Sequence, residues 1–225
     1  MTLIKIGGII MVAYIVVAII AYLLGSISFS VIISKKMAGF DVREKGSGNA
    51  GTTNVLRTVG KKASAITLLF DTLKGVVAIL VAYIIGLIMK DGVDKSLLVQ
   101  FAGIAVILGH TFPIFFQFKG GKGIATSLGV LLMTNWNIGL ICLVFALLLM
   151  VLTKMVSVGS LAAAVLFPVL VAFMPSNAYI VEGNHFGYIV YAVLLAVLVI
   201  FNHRANVKRL LEGTENKIDF KKTKK

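Results

Sequence analysis

Long apolar runs are the feature that most restricts what this chain can fold into. Six of them lie at 6–24, 63–89, 96–118, 138–153, 156–174 and 186–201, and a shorter one lies at 124–134. An α-helix needs about 20 apolar residues to cross a hydrocarbon core about 30 Å thick. Because 59% of the residues are apolar and only 14% are charged, a soluble globular domain is excluded. The sequence predicts an all-α integral membrane protein with up to seven transmembrane helices, in one membrane domain over residues 1–220.

The basic residues predict the orientation of these helices, because short cytoplasmic loops carry an excess of Lys and Arg. Of the 22 basic residues, 18 fall in the segments 25–62, 119–123 and 154–155 or after residue 201. The N-terminus is therefore expected outside and the C-terminus in the cytoplasm, with a disordered basic tail at 221–225. The charged residues expected on the outer side are Lys5, Lys90, Asp91, Asp94, Lys95 and Glu182.

Two features of the runs leave alternatives. The run 124–134 has eleven residues, about 17 Å of helix, which is too short to span alone. Either 121–136 forms a longer, tilted helix, or the run belongs to a re-entrant hairpin buried in protein. The first run could be a signal peptide, but no A-x-A cleavage pattern precedes Gly25, so we expect a retained helix.

The first of three polar clusters occupies 41–57, in the first cytoplasmic loop. Its glycines alternate with small polar side chains, so backbone N–H groups and short donors can approach one ligand. Such a loop suits an oxyanion or a phosphate, although a flexible polar connector has a similar composition. Arg57 follows in a helix-like run, 53–58, and favours the phosphate site. The candidate residues here are Ser47, Gly48, Asn49, Thr53 and Arg57.

The second cluster joins the segments 109–113 and 119–123, Gly-His-Thr-Phe-Pro and Lys-Gly-Gly-Lys-Gly. Glycines ahead of a helix start leave backbone N–H groups unpaired, and the helix dipole adds positive potential, so an anion is favoured there. Lysine binds phosphate as a point charge, although Lys119 and Lys122 would also serve as simple anchors of a helix end. Gly123 stands where a Walker P-loop needs Ser or Thr, which disfavours nucleotide binding.

The third cluster, 202–209, follows the last apolar run and continues to Glu215. In a helix, His203 and Asn206 are three residues apart and share a face, so both could point toward the other two clusters. A lone His is more often structural, and the position of His203 at the membrane boundary leaves both roles open.

Asp71 and Lys74 lie inside the second apolar run, where ionisable residues are costly and are therefore candidates for function. Spaced i and i+3, they can also form a mutual ion pair, and we expect that pair. A transporter of a phosphorylated solute is the alternative function that such residues raise. A transport pathway needs polar groups at many depths, whereas here they crowd one face, which favours an interfacial enzyme.

Together these clusters resemble the bacterial acyl-phosphate:glycerol-3-phosphate acyltransferases, small integral membrane enzymes that make lysophosphatidic acid. The resemblance extends from Gly25 to Glu215 and is carried mainly by 43–57, 69–75, 109–113, 119–123 and 203–206. It implies seven spans and an active site facing the cytoplasm, in the inner (plasma) membrane of a bacterium. It also implies two substrates, a fatty acyl phosphate and sn-glycerol 3-phosphate, and functional coupling to an enzyme that makes acyl phosphate.

The resemblance further implies roles for particular residues. In the first motif, Ser47 and Arg57 are expected to be essential. The glycine loop of the second motif is expected to bind phosphate through Lys119, Gly120, Gly121, Lys122 and Gly123. In the third motif, His203 and Asn206 are expected to act in the site, and Glu215 is expected to be structural.

These roles agree with the chemistry of the substrates. Two phosphates bring about four negative charges together, which Arg57 and Lys122 are expected to neutralise. An acyl phosphate is already activated, so proximity and charge stabilisation can suffice, and neither a covalent serine nor a cofactor is expected. The proton of the acceptor hydroxyl can pass to His203 or to the donor phosphate, and the sequence leaves both open.

Other chemistries find less support. The acyltransferase signature of His, four residues and Asp is absent at all three His residues. Cys142 is the only cysteine, and the sequence offers no metal-binding cluster. The basic tail lacks the interleaved aromatic residues of single-strand nucleic-acid sites, so the expected partners are the two substrates and membrane lipids, not nucleic acid.

Overall fold

The computed structural model describes residues 2–89, 92–174 and 184–218, and every regular element in these ranges is helical. Within them lie ten α-helices and two 3₁₀ turns, Val42–Glu44 and Ile114–Phe116. The helices are α1 (Thr2–Gly25), α2 (Phe29–Ala38), α3 (Thr52–Thr58), α4 (Lys61–Ile88), α5 (Lys95–Thr111), α6 (Ile124–Thr134), α7 (Trp136–Thr153), α8 (Val156–Phe173), α9 (His185–Asn202) and α10 (Arg204–Leu211).

Six helical stretches in the described ranges are long and apolar enough to cross a membrane. Large apolar side chains stay exposed along each of them, as expected of a surface that lipid covers. The prediction of an all-helical membrane protein is confirmed at this level. The six stretches are Gly7–Ala38, Lys61–Ile88, Lys95–Phe116, Trp136–Thr153, Val156–Phe173 and His185–Asn202.

The short helix α6 has the predicted bounds, Ile124–Thr134, and not the longer bounds 121–136 of the tilted-helix alternative. Gly123, in the left-handed conformation with φ of 86°, precedes its first turn, a conformation that glycine adopts without steric cost. Asn135 ends α6. Its side chain accepts a hydrogen bond from the N–H of Ile138 (3.1 Å), and this bond caps the start of α7. None of the α6 residues is exposed, so the helix is enclosed by protein.

Pairs of glycines set two of the helix crossings. A Cβ on Gly25 would collide with the backbone of Val106, and one on Gly109 would collide with the carbonyl of Tyr22, so α1 and α5 touch through their backbones. The crossing of α4 and α6 is built in the same way, at Gly75 and Gly129. Small residues allow this close approach between membrane helices. As a result, α6 is held directly against the middle of α4.

Some predicted features fall outside the described residues. These are the charges Lys90, Asp91 and Glu182, which we expect on the outer side, Asp219, which we expect on the inner side, and the tail 221–225. Asp94 is described: it is exposed, and its carboxylate accepts a hydrogen bond from the N–H of Leu97 (3.0 Å), which caps the start of α5.

Candidate active site

A cavity of about 460 Å³ lies where the three polar clusters meet. Around it are the loop before α3, the start of α6 and the junction of α9 with α10. Part of its wall is polar and includes Ser47, Asn49, Thr53, Arg57, Asp71, His110, Lys122, His203, Asn206, Arg209 and Glu215. Another part is mainly apolar, from α6, α7, α8 and α9, and includes Leu131, Leu143, Ala146, Met150, Phe167 and Leu195. One cavity therefore contains both a charged region and an apolar region.

Buried Asn54 organises the first loop. Its Nδ2 donates hydrogen bonds to the carbonyls of Val42 (2.9 Å) and Lys45 (3.0 Å), and its Oδ1 accepts one from the N–H of Ser47 (3.0 Å). These bonds fix the turn that brings Ser47 to the cavity. Arg57 lies nearly one turn further along α3, exposed and in the cavity wall.

Arg43 fastens the first loop to the second. Its guanidinium pairs with the carboxylate of Asp41 at 2.8 Å and donates hydrogen bonds to the carbonyls of Phe116 (2.7 Å) and Lys119 (3.3 Å). The hydrogen bond from Arg43 lowers the pKa of Asp41 to about 2, so this pair stays ionised. The segment that precedes Lys122 is therefore attached to the segment that precedes Ser47.

A chain of four side chains joins the second and third clusters. The ammonium of Lys122 donates to Oδ1 of Asn206, and Nδ2 of Asn206 donates to Oε1 of Glu215 (2.8 Å). Nε of Arg209 donates to the other carboxylate oxygen of Glu215 (2.9 Å). Burial raises the pKa of Glu215, but the hydrogen bonds from Asn206 and Arg209 outweigh it and leave the pKa below its usual value.

The surroundings of Lys122 disfavour its own positive charge. Burial, together with the nearby cations Arg209 and Arg57, lowers the pKa of Lys122 to about 8, although Glu215 acts in the opposite direction. Arg57, Lys122 and Arg209 line the cavity with two carboxylates, Glu215 and Asp71, and Asp71 is already paired with Lys74. The wall therefore has an excess of positive charge, and a phosphate dianion would relieve the repulsion among these cations.

His203 is held as a neutral imidazole. Its Nδ1 lies 2.8 Å from the carbonyl of Val199, so the proton belongs on Nδ1 and Nε2 is left as an acceptor. Burial, reinforced by the charge of Lys122, lowers the pKa of His203 to about 4. At neutral pH the ring is therefore an acceptor of hydrogen bonds and not a cation.

Most of the predicted site residues come together in the cavity wall. Those that line it are Ser47, Asn49, Thr53, Arg57, Lys122, Gly123, His203, Asn206 and Glu215. Gly48, Lys119, Gly120 and Gly121 are not among its lining residues. Lys119 is exposed, and the N–H groups of Gly120 and Gly121 donate to the carbonyls of Thr111 and His110 (3.1 Å each).

Arg209 also lines the cavity, although it is not among the site residues predicted from the sequence, which does contain a signal for it. In a helix it lies three residues after Asn206, as Asn206 lies three after His203, so all three share one face of α10 or its start. Asn54 is a second residue that the sequence does not single out, because it is one of several small polar residues in the glycine loop. Its structural role depends on contacts with Val42 and Lys45, which its position in the sequence does not reveal.

The fold and the cavity define a helical membrane protein with a cationic site that opens beside apolar walls. The sequence profile of the glycerol-3-phosphate acyltransferase family matches residues 15–213, and the chain belongs to this family. It is 47% identical to the glycerol-3-phosphate acyltransferase of Clostridioides difficile (strain 630) over 210 residues, 93% of this chain and 98% of that one. The corresponding protein of Thermoanaerobacter sp. (strain X514) is 45% identical and covers 89% of this chain and 93% of its own.

A solved structure extends the similarity to the fold. The crystal structure of PlsY, an integral membrane glycerol 3-phosphate acyltransferase, in its glycerol 3-phosphate form, matches with a TM-score of 0.77 and 36% identity. The match covers 92% of this chain and 96% of that one. A second structure of PlsY, the lysophosphatidic acid form, matches with a TM-score of 0.75.

Proposed function

We propose that the cavity is the active site of a glycerol-3-phosphate acyltransferase. The enzyme transfers a fatty acyl group from acyl phosphate to sn-glycerol 3-phosphate and releases lysophosphatidic acid and phosphate, the first step of phospholipid synthesis. The main observation that supports this proposal is that one cavity has both a cationic wall and an apolar wall. An acyl phosphate has the same two parts, a charged head and a hydrocarbon chain.

The cationic wall binds the two phosphates. Arg57 comes from α3 and Lys122 from the loop before α6, and both line the cavity together with a third cation, Arg209. Arg forms bidentate bonds with phosphate oxygens, whereas Lys acts as a point charge. The hydroxyl of Ser47 and the amide of Asn49 line the same region and supply hydrogen bonds to the same anions.

The apolar wall holds the acyl chain, and the lipid bilayer supplies it. Leu68 of α4 and Leu147 of α7 line the cavity and are also 44% and 46% exposed on the outer surface of the helices. The short helix α6 lies between α4 and α7 and does not extend along their full length, so it leaves an opening between these two helices. A donor dissolved in the bilayer can therefore enter the cavity laterally between α4 and α7, with its phosphate in contact with Lys122.

During the transfer the acceptor hydroxyl loses its proton, and the phosphate released from the donor takes that proton up. The acceptor oxygen forms a bond with the acyl carbon, the bond from that carbon to the phosphate oxygen breaks, and the hydroxyl proton leaves with inorganic phosphate. Because burial lowers the pKa of His203 to about 4, its imidazole is a weak base, and the proton goes to the phosphate oxygen that the acyl carbon releases. Nε2 of His203 orients the acceptor hydroxyl by accepting its hydrogen bond.

The site faces the cytoplasm in a seven-span arrangement, with the N-terminus outside. The positive-inside distribution of Lys and Arg supports this orientation. Trp136, at the junction of α6 and α7, is 58% exposed, and tryptophan is typical of membrane interfaces. If Trp136 marks the outer interface, α6 covers only about 17 Å of a core of about 30 Å. Lys122 is then recessed by roughly 10 Å from the cytoplasmic edge, within reach of a lipid-borne phosphate.

Residues outside the cavity wall have supporting roles. Exposed Lys119 attracts anionic substrates or lipid head groups to the cytoplasmic face. Gly48, Gly120 and Gly121 act through the shape of their loops. Glu215 does line the cavity, and it acts by holding Asn206 and Arg209. The chain works as one domain, 1–220, in the inner membrane of a bacterium, where an enzyme that makes acyl phosphate supplies the donor.

A single assay separates this proposal from transport of a phosphorylated solute. Purified protein in detergent, with no vesicle compartment, is incubated with an acyl phosphate and labelled glycerol 3-phosphate. We expect labelled lysophosphatidic acid and an equal amount of free phosphate, and neither with Lys122→Ala. Uptake of the label into proteoliposomes, with no product formed in detergent, would favour a transporter instead.

A further inference from the structure

Three ionisable side chains form a buried cluster that the reaction described above does not use. Two of them, Asp71 and His110, also line the cavity. Nζ of Lys74 lies 2.8 Å from Oδ1 of Asp71, and Nδ1 of His110 lies 3.6 Å from the same oxygen. Lys74 also donates a hydrogen bond to the carbonyl of Ile27 (2.9 Å). The expected ion pair between Asp71 and Lys74 is therefore confirmed, and His110 is its third member.

His110 connects this cluster to the glycine loop. The carbonyl of His110 accepts a hydrogen bond from the N–H of Gly121, and the carbonyl of Thr111 accepts one from Gly120 (3.1 Å each). The imidazole itself packs directly against the loop, since a Cβ on Gly121 would collide with Nε2 of His110. One edge of the ring thus faces Asp71 and the other faces the residue before Lys122.

The cluster is an expensive feature to keep in a membrane helix. Asp71, Lys74 and His110 are all buried, and ionisable groups at such positions usually mark function. A plain ion pair could be replaced by apolar residues of similar volume at little cost in stability. What apolar residues could not replace is a fixed orientation of the His110 ring against the loop.

We propose that Asp71 and His110 are positioning residues for the phosphate-binding loop, with Asp71 fixing the imidazole and the imidazole fixing Gly121 and hence Lys122. Lys74 pairs with the Asp71 carboxylate and holds it in place. This inference rests on the proposed function, because it assigns the loop to phosphate binding. It predicts that the cluster affects substrate affinity more than the chemical step.

The first test is His110→Ala, with Gln100→Ala as the matched control. Gln100 is also a buried polar residue of α5, but it lies almost three turns away from the loop and bonds to Ser96. We expect His110→Ala to raise KM for at least one of the two substrates tenfold or more, about 1.4 kcal/mol, with kcat within threefold of wild type. A general loss of folded protein would lower the maximal rate and leave KM unchanged. KM values within twofold of wild type for both substrates would overturn the proposal.

The second test asks whether Asp71 acts through His110. Asp71→Asn keeps the shape of the side chain, and we expect it to raise the same KM at least threefold. In the His110→Ala background the same change should add less than twofold, because the ring on which Asp71 acts is gone. A full, multiplicative effect in that background would show that Asp71 acts by another route. If His110→Ala does not fold, an unchanged KM in Asp71→Asn alone would overturn the proposal.

A third measurement does not depend on catalysis. Hydrogen exchange of the purified protein in detergent reports the amides of Gly120 and Gly121, which are bonded to α5. We expect exchange at these two amides to be at least tenfold faster in His110→Ala and unchanged in Gln100→Ala. Exchange as slow as in wild type would refute the positioning role. If wild-type protein lacked acyltransferase activity, the proposed function would fail, and this measurement would still decide whether His110 holds the loop.

Discussion

Lys122 donates a hydrogen bond to the side-chain oxygen of Asn206, which joins the loop before α6 to α10. The other end of the same amide donates to Glu215 at 2.8 Å, so the amide cannot turn over without losing both bonds. The direction of the Lys122 ammonium is thus set from outside its own loop. Two of the three polar clusters therefore form one unit, and changes in α10 should be felt at Lys122.

Substitutions in the hydrogen-bonded series Lys122, Asn206 and Glu215 should lower kcat/KM by different amounts. Asn206→Ala removes both bonds, and we expect kcat/KM to fall about a hundredfold, since hydrogen bonds to charged groups each contribute about 1.5–3 kcal/mol. Glu215→Gln keeps an oxygen that can accept from Asn206 and loses only the ionic bond to Arg209, so we expect a loss of less than about tenfold. Steady-state kinetics of the two purified variants would check this order. An equal loss in both variants would contradict the ordering Lys122, Asn206, Glu215.

Arg57 should be essential, whereas an arginine outside the cavity wall should not be. Arg57→Ala removes a cation that lines the cavity, and we expect kcat/KM to fall about a hundredfold or more, because an unneutralised phosphate costs about 2–5 kcal/mol. The matched control is Arg204→Ala. Arg204 is exposed, lies outside the cavity wall and donates only to the carbonyl of Phe201. Near-normal turnover by purified Arg57→Ala would remove Arg57 from the site.

The pKa of Lys122 should appear in the pH profile. Because that pKa is lowered to about 8 by burial and by the neighbouring cations, Lys122 is protonated below pH 8 and loses its charge as pH rises through 8. We expect kcat/KM, which reports the free enzyme, to fall above pH 8 by up to tenfold per pH unit. Lys122→Arg stays charged throughout, so it should be less active but should lack this decline. A decline of the same midpoint in Lys122→Arg would assign it to another group.

The sequence predicted the helices well because their lengths are set by local features. The bounds of α6 follow from an apolar run that Gly123 opens and Asn135 closes, and both residues carry their signals in the sequence. The three clusters could also be placed together, because positive charge marks one side of a membrane. The longer helix 121–136 was wrong, since the left-handed turn at Gly123 prevents the helix from extending backwards.

Side-chain directions within the loops could not be predicted in the same way. Lys119 and Lys122 are close in sequence and both are predicted to act on phosphate in the site, yet only Lys122 lines the cavity. The difference arises from the bonds of Gly120 and Gly121 to α5, contacts between segments about ten residues apart. The roles of Asn54 and His110 depend on tertiary contacts in the same way.

The orientation of the chain can be tested with single cysteines. Cys142 is buried in the cavity wall and is first replaced by alanine. We expect Asp94→Cys to react with an impermeant thiol reagent on intact cells, because the loop before α5 lies outside. Lys208→Cys, on exposed α10, should react only after the cells are permeabilised. The opposite pattern would reverse the topology and place the site outside.

The backbone contact between α4 and α6 should be sensitive to a single methyl group. A Cβ on Gly129 would collide with the carbonyl of Thr72, so Gly129→Ala must push α6 away from α4. Forcing extra volume into a packed contact costs about 1–3 kcal/mol, and we expect a lower thermal unfolding temperature in detergent. Because α6 carries Lys122 at its start, kcat/KM should fall as well.

Gly187→Ala is the matched control for that change. Gly187 lies inside α9, and its nearest neighbour for an added Cβ is the Cβ of Asn184 at 3.8 Å, an ordinary contact. Alanine favours helix over glycine by about 1 kcal/mol, so this variant should be as stable as wild type or slightly more stable. The two substitutions are chemically identical, and only the space around them differs. Equal stability of the two variants would mean that the α4 and α6 backbones do not touch, and that this contact does not position Lys122.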